Sequence, residues 1–181
     1  DLTFVGPEVP LAAGIVDDFQ AIGLPIFGVT QKLAQLESSK TFAKAFMHRH
    51  HLPTAASKTV HSAIEAHAEA TLMGLPLVLK KDGLAAGKGV VIANDAATLD
   101  DTIEQFYAGH PDATVLLEEY LAGEEASVMA LFNDQKRVIL PLSQDHKRRH
   151  AADRGPNTGG MGAISPLPQF KPDRSEERRV G

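Results

Sequence analysis

Asp82-Gly83-Leu84-Ala85-Ala86-Gly87-Lys88-Gly89 stands between two apolar, strand-like stretches, and its reading decides the fold. A backbone this rich in glycine can approach a ligand closely and turn its N–H groups toward phosphate oxygens. Lys88 adds a mobile positive charge at the same place. The run departs from the ordinary phosphate loop, G-x-x-x-x-G-K-[ST], which opens a helix. The gap between its first two glycines is one residue shorter, Gly89 replaces the hydroxyl residue, and Val90-Val91-Ile92 continues as a strand. A strand, a glycine loop and a second strand that together hold phosphates predict a hinged β-flap over a nucleotide.

Working outward, Pro76 precedes a strand over residues 77–80, and residues 89–93 form its partner. Strand side chains alternate between faces, so Leu77, Leu79 and Lys81 share one side and Val78 and Lys80 the other. At most one of the lysine pair is therefore expected to reach the ligand, with Lys80 on the face beside Val78. A helix is predicted over 97–108 and a strand over 115–119. Glu118-Glu119-Tyr120-Leu121, followed by Gly123-Glu124-Glu125, then reads as a crossover suited to an adenosine. Backbone groups around Glu119 to Leu121 would meet the base edge, and a carboxylate a few residues on would meet the ribose hydroxyls.

Upstream, residues 2–5 read as a strand ending at Gly6-Pro7-Glu8. A single helix over 10–22 and a strand over 25–28 follow, the tail of a parallel α/β unit. Ser38 or Ser39 caps a helix running to His50 or His51, with Phe42, Ala45 and Phe46 on one face. His48-Arg49-His50-His51 at its end suits the helix dipole better than a metal. Thr59-Val60 begins an extended segment, and Ser62-x-x-Glu65 is a capping box for a helix stopping at Gly74. Downstream, a hairpin pairs 125–132 with 137–142 around Asn133-Asp134. A long loop then covers 143–162. Its Ser143-Gln144-Asp145-His146-Lys147-Arg148 segment offers charge for a phosphate or carboxylate, and Gly155-Pro156-Asn157-Thr158-Gly159-Gly160-Met161-Gly162 offers N–H donors.

The 181 residues carry a net charge of −5 and no cysteine. The acidic balance argues against a nucleic-acid partner. The missing cysteines exclude a disulfide framework and thiol chemistry. No apolar run approaches membrane-spanning length. A cytoplasmic protein with no membrane partner is expected.

Four strings, in this order, resemble the glycinamide ribonucleotide synthetase (phosphoribosylamine–glycine ligase) family of the ATP-grasp superfamily: Asp82 to Val90, Glu118 to Ser127, Ser143 to Arg148 and Gly155 to Ala163. Val5-Gly6-Pro7-Glu8 and the run Gln35 to Lys40 add to the likeness. The resemblance implies an α/β (α+β) ATP-grasp fold. Residues 1–37 would end a Rossmann-like substrate domain and 38–57 form a connecting helix and linker. Residues 58–121 would be the flap subdomain and 122–170 the start of the second ATP-grasp lobe. The tail 171–181 does not resemble the family and reads as an artefact. Both ends suggest an internal fragment, lacking the family's glycine-rich substrate loop before Asp1.

The family joins glycine to 5-phosphoribosylamine with ATP and Mg2+ (or Mn2+), in early purine synthesis. By this likeness Lys40, Lys80, Gly83, Gly87, Lys88 and Gly89 would contact ATP phosphates. Glu118, Tyr120 and Leu121 would hold adenine, and Glu125 the ribose. Lys80, Lys88 and Asn157 would act in catalysis. Glu8, Asp145, His146, Lys147, Arg148, Asn157, Thr158 and Gly159 would serve the substrates. The principal metal ligands are expected beyond residue 181, so none is assigned here, and the fragment alone is expected to be inactive. The parent is expected to be a monomer. Gly28-Val29-Thr30, Lys81 and the stretch Arg148 to Arg154 depart from the family pattern. Two rival expectations are a nucleotide-binding module without chemistry and another ATP-grasp carboxylate–amine ligase.

Overall fold

The computed structural model describes residues 1–84, 89–133, 135–151 and 154–170. The centre of the glycine loop, with Gly87 and Lys88, lies outside them, as do Asp134 and the tail 171–181. The chain divides into two units: Asp1–Ala85 with Gly89–Leu121, and Ala86–Lys88 with Ala122–Gly181.

In the first unit, β1 (Thr3–Phe4) pairs in parallel with β2 (Ile26–Phe27). The helix expected over 10–22 is instead two, α1 (Glu8–Ala13) and α2 (Ile15–Ala21). Gly14 breaks it with φ 94°, a left-handed conformation that glycine adopts without a Cβ clash. Gly28 lets the chain leave β2 beneath these helices. A Cβ there would stand 2.9 Å from both Leu11 Cδ2 and Val16 Cγ2.

Helix α3 (Gln31–Ser38) was not anticipated. Its first N–H, on Gln31, donates to Asp17 Oδ2 at 2.7 Å, so its cap comes from α2. Helix α4 (Lys40–Arg49) starts where Ser39 Oγ accepts from Phe42 N, as expected. Its inner face differs from the expectation: Ala45 is exposed, Phe42 and Phe46 are half-buried, and Lys44 is the buried residue.

A four-stranded antiparallel sheet follows, built from β3 (Ser57–Val60), β4 (Leu77–Lys81), β5 (Val90–Ala93) and β6 (Val115–Glu119) in the order β3-β6-β4-β5. Helices α5 (Ala63–Met73) and α6 (Ala96–Tyr107) cover one face. Leu77, Leu79, Val115 and Leu117 project from that face onto Ile103, Phe106 and Tyr107 of α6, while Ala66 and Ala70 let α5 approach closely. Each fully buried leucine contributes roughly 1.5–3 kcal/mol. Ser62 Oγ accepts from Glu65 N, and Glu65 Oε2 reaches back to His61 N rather than to Ser62 N, so the capping box closes one residue early.

In the second unit, β7 (Ala130–Phe132) and β8 (Arg137–Ile139) form the expected hairpin. Its ladder resumes in a bridge between Ser127 and Ser143. The stretch 143–162 is not a plain loop. It holds β9 (Gln144–Asp145), β10 (Arg148–His150) and β11 (Arg154–Asn157), and β9 pairs with β12 (Ala163–Ile164). Strands β10 and β11 pair antiparallel. That pairing needs Gly155, whose φ is +84° and where a Cβ would collide with the His150 ring.

Candidate functional site

The base of the glycine loop is built around Asp82. Its N–H donates to Thr114 O at 3.0 Å, which fixes the exit from β4. Its carboxylate accepts from Lys40 N at 2.6 Å, Thr41 Oγ1 at 2.8 Å, Ser39 Oγ at 3.2 Å and Thr41 N at 3.4 Å. A carboxylate thus sits on the first N–H groups of α4, where the helix dipole favours negative charge. Partial burial opposes the Asp82 charge, but the Thr41 hydroxyl and the N–H groups of Gly83, Lys40 and Thr41 outweigh it and hold the carboxyl below its ordinary pKa. Lys40 Nζ donates to Gly83 O at 2.7 Å, so the expected ATP lysine lies at the loop base. Across the mouth, Lys81 N donates to Gly89 O at 2.8 Å. Gly83 has φ +90°, a turn that side-chain-bearing residues rarely adopt.

Next to this base lies a charged triad. Glu118 stands opposite Val78 in the β4–β6 register, and Lys80 is its diagonal neighbour on the same face. The Glu118 carboxylate is buried, with the residue 6% exposed. Its Oε2 pairs with Lys80 Nζ. Its Oε1 meets Lys44 Nζ at 2.9 Å. Burial pushes the Glu118 pKa up, but hydrogen bonds and charge from Lys80 and Lys44 pull it down further, and the net direction is below the ordinary value. Lys44 was missed from sequence. The available signal was its position one turn after Lys40, on the same helix face.

Glu119 is spent on structure, since its Oε1 accepts from Ala56 N at 2.8 Å. Tyr120 and Leu121 follow β6 and are exposed. Glu8, the first residue of α1, is exposed. A cleft of about 650 Å³ is lined by Lys81, Asp82, Gly83 and the turn at 109–114. Neither Lys80 nor Glu118 lines it, so it marks the back of the loop base and not the triad.

The second unit brings its two motif segments together. His146 N donates to Gly162 O at 2.9 Å and Met161 N to His146 O at 2.7 Å. Thr158 donates to Lys147 O from its N–H at 2.7 Å and from its hydroxyl at 2.9 Å. Gly160 N donates to Thr158 Oγ1 at 3.1 Å, leaving Gly159 in a tight exposed turn. Asp145 Oδ1 would stand only 3.2 Å from a Cβ at Gly160, whose φ is +129°. Arg148 Nη1 donates to Gly155 O at 2.8 Å, and Arg148 lies opposite Asn157 in the ladder. The Asn157 side chain is outside the described portion. Lys147 Nζ pairs with Glu125 Oε1 at 3.0 Å and lies 3.9 Å from Asp145 Oδ2. Glu125, expected on a ribose, thus holds a lysine expected on an anion. Both side chains are largely exposed, and such a pair is worth only about 0–1 kcal/mol. A ligand can replace it at small cost.

Comparison with known proteins identifies the family. Residues 38–179 match the family model "Phosphoribosylglycinamide synthetase, ATP-grasp (A) domain", and residues 1–37 match "Phosphoribosylglycinamide synthetase, N domain". The phosphoribosylamine–glycine ligase of Ralstonia nicotianae is 55% identical over 174 residues, covering 94% of this chain and 41% of that protein. The enzyme of the same name from Neisseria meningitidis serogroup B is 52% identical with the same coverage. The crystal structure of phosphoribosylamine–glycine ligase from Thermotoga maritima superposes with a TM-score of 0.80 at 32% identity, over 99% of this chain and 45% of that one. The chain spans about two-fifths of the length of these curated relatives. Its mixed helices and strands are those of an ATP-grasp protein, as the glycine loop led one to expect. Both family models match, one after the other and with nothing between them, and the chain belongs to the phosphoribosylglycinamide synthetase family.

Proposed function

We propose that this chain forms the nucleotide-binding part of an ATP-dependent ligase joining glycine to 5-phosphoribosylamine in purine biosynthesis. The observation that carries the reading is the loop base, where Lys40 from α4 and Lys80 from β4 are each held in place beside the glycine loop. Relatives bearing the ligase name at 55% and 52% identity support the choice of reaction.

The chemistry assigned to these residues is charge compensation. ATP transfers its terminal phosphoryl group to the glycine carboxylate, giving glycyl phosphate and ADP. The amine of phosphoribosylamine then attacks the acyl carbon. A C–N bond forms, the C–O bond to phosphate breaks, the amine proton leaves, and glycinamide ribonucleotide and phosphate result. Negative oxygens must meet in the first step, so fixed cations and N–H donors have to offset them. In this reading Lys40, Lys80 and Lys88 supply cations, and Gly83, Gly87 and Gly89 bring backbone N–H groups near. Tyr120 and Leu121 offer backbone to the adenine beside Glu118, whose carboxylate is occupied by its lysines. Glu125 takes the ribose once released from Lys147. Glu8 meets the ribosyl substrate, and Asp145, His146, Lys147, Arg148, Asn157, Thr158 and Gly159 serve the substrates and the transferred phosphate. Closure of the loop keeps water from the acyl phosphate.

Among the described residues no three His, Cys, Asp or Glu side chains gather as a metal site. The divalent cation that belongs to this reading, Mg2+ or Mn2+, would neutralise phosphate charge alongside the lysines and be held mainly by residues other than these. The proposed enzyme is cytoplasmic and acts on small molecules as a monomer; separately, no described helix is long and apolar enough to cross a membrane.

The test is ADP release by protein spanning the full length of the relatives. Release that requires both glycine and phosphoribosylamine, and that fails with other amino acids, supports the reading. Release with a different carboxylate and amine replaces it with another ATP-grasp ligase. The 41% coverage favours a second outcome for the 181-residue chain by itself: nucleotide binding with no turnover.

A further inference from the structure

Lys44 is buried, 7% exposed, in the middle of α4. An ammonium is tolerated away from water only when its donors are matched. Lys44 Nζ meets three acceptors: Thr54 Oγ1 at 2.6 Å, Ala55 O at 2.9 Å and Glu118 Oε1 at 2.9 Å. An ammonium has three N–H groups, so none is left for a ligand. Lys80 differs. Its side chain is 28% exposed, and its partner among the described residues is the other Glu118 oxygen.

From this we infer that Lys44 is a positioning residue for nucleotide binding, acting through Glu118 to aim the Lys80 ammonium. The inference rests on the nucleotide reading above. Two features of the geometry carry it. Lys44 is tied to the Thr54 hydroxyl and the Ala55 carbonyl and takes one carboxylate oxygen, which fixes the other oxygen in the orientation that Lys80 meets. A lysine held this way has less rotamer freedom to lose when it binds an anion. Charge is the second feature. Glu118 with Lys80 alone would be neutral, whereas Glu118 between two ammoniums leaves the cluster at +1. The cluster thus holds Lys80 still and attracts phosphate at the same time.

The experiment measures ATP affinity of the whole chain by calorimetry at fixed salt. Lys44→Met is expected to weaken ATP binding at least tenfold, and Thr54→Val two- to fivefold. In a Lys80→Ala background both changes are expected to have less than a twofold effect, because the group they aim is gone. Equal losses in the two backgrounds, or no loss with Lys80 present, overturn the inference, since a purely structural lysine would not depend on Lys80. If Lys44→Met does not fold, Thr54→Val decides, because it leaves no unpaired buried charge. If Lys80→Ala binds too weakly to measure, the Nζ–H signal of Lys80 in 15N NMR decides. It should broaden in Thr54→Val, and an unchanged signal overturns the inference. An unsubstituted chain that binds no ATP overturns the nucleotide reading and this inference together, an outcome separate from a Lys44 effect that ignores Lys80.

Discussion

Glu118 stays charged in the folded protein because two ammoniums reach it from different elements. Burial alone would raise its pKa, and the lysines reverse the sign. A depressed native pKa means that the unfolded chain takes up the proton first as acid is added. The stabilisation is therefore complete above the ordinary glutamate value of about 4.3 and is lost as pH falls below it, toward the native value. Urea midpoints measured from pH 7 to pH 3 should fall along this limb, and Glu118→Gln should make the fall shallower. An unchanged slope would remove Glu118 from the account. Lys80 carries the matching prediction for binding. Lys80→Ala forfeits one charge-assisted contact, worth about 1.5–3 kcal/mol, and ATP titration should show roughly a ten- to hundredfold weaker affinity. The face of Lys80 was legible in the sequence, because strand alternation puts it opposite Leu77 and Leu79. Lys44 offered only its place one turn after Lys40, since its partners Thr54 and Ala55 lie ten and eleven residues on and no periodicity marks them.

Helix α4 and the loop base are a single mechanical element. Ser39 satisfies Phe42 N, while Asp82, from the end of β4, satisfies Lys40 N and Thr41 N. The helix N-terminus is thus capped from within and from across the sheet, and Lys40 Nζ returns a bond to Gly83 O. Asp82→Ala should cost about 1–2 kcal/mol of stability, read as a lower urea midpoint. Asp82→Asn, which keeps an acceptor for the same N–H groups, should recover part of it. Equal losses for both would mean that charge at the helix end, and not hydrogen bonding, holds the loop. The sheet and its helices could be read in the sequence because continuous apolar runs mark β4, β5 and β6 and the Ser62 cap marks the start of α5. Helix α3 could not, because its cap is Asp17, fourteen residues upstream. The break at Gly14 depends on a backbone angle, and strands of two residues such as β9 and β12 are too short to show a period.

At the scale of the whole molecule, apolar burial is unevenly shared. Leu77, Leu79, Ile103, Leu116 and Leu117 are the largest fully buried side chains, and all belong to the first unit. In the second unit the described buried residues are Ser143 and Leu167, while Leu131, Phe132, Val138 and Ile139 on β7 and β8 are exposed. Backbone hydrogen bonds open more readily where few apolar contacts must be broken with them. Hydrogen exchange followed by mass spectrometry should therefore find the slowest amides in β4 and β6. Those of β7 to β12 should exchange at least ~100-fold faster, through local openings that leave the first unit intact. Protection in β7 to β12 matching that of β4 and β6 would mean that the two units unfold together. The lysines that the nucleotide reading depends on, Lys40 and Lys80, would then owe their placement to both units. Faster exchange in the second unit places the stability that holds them in the β3–β6 sheet and the α5–α6 layer against it.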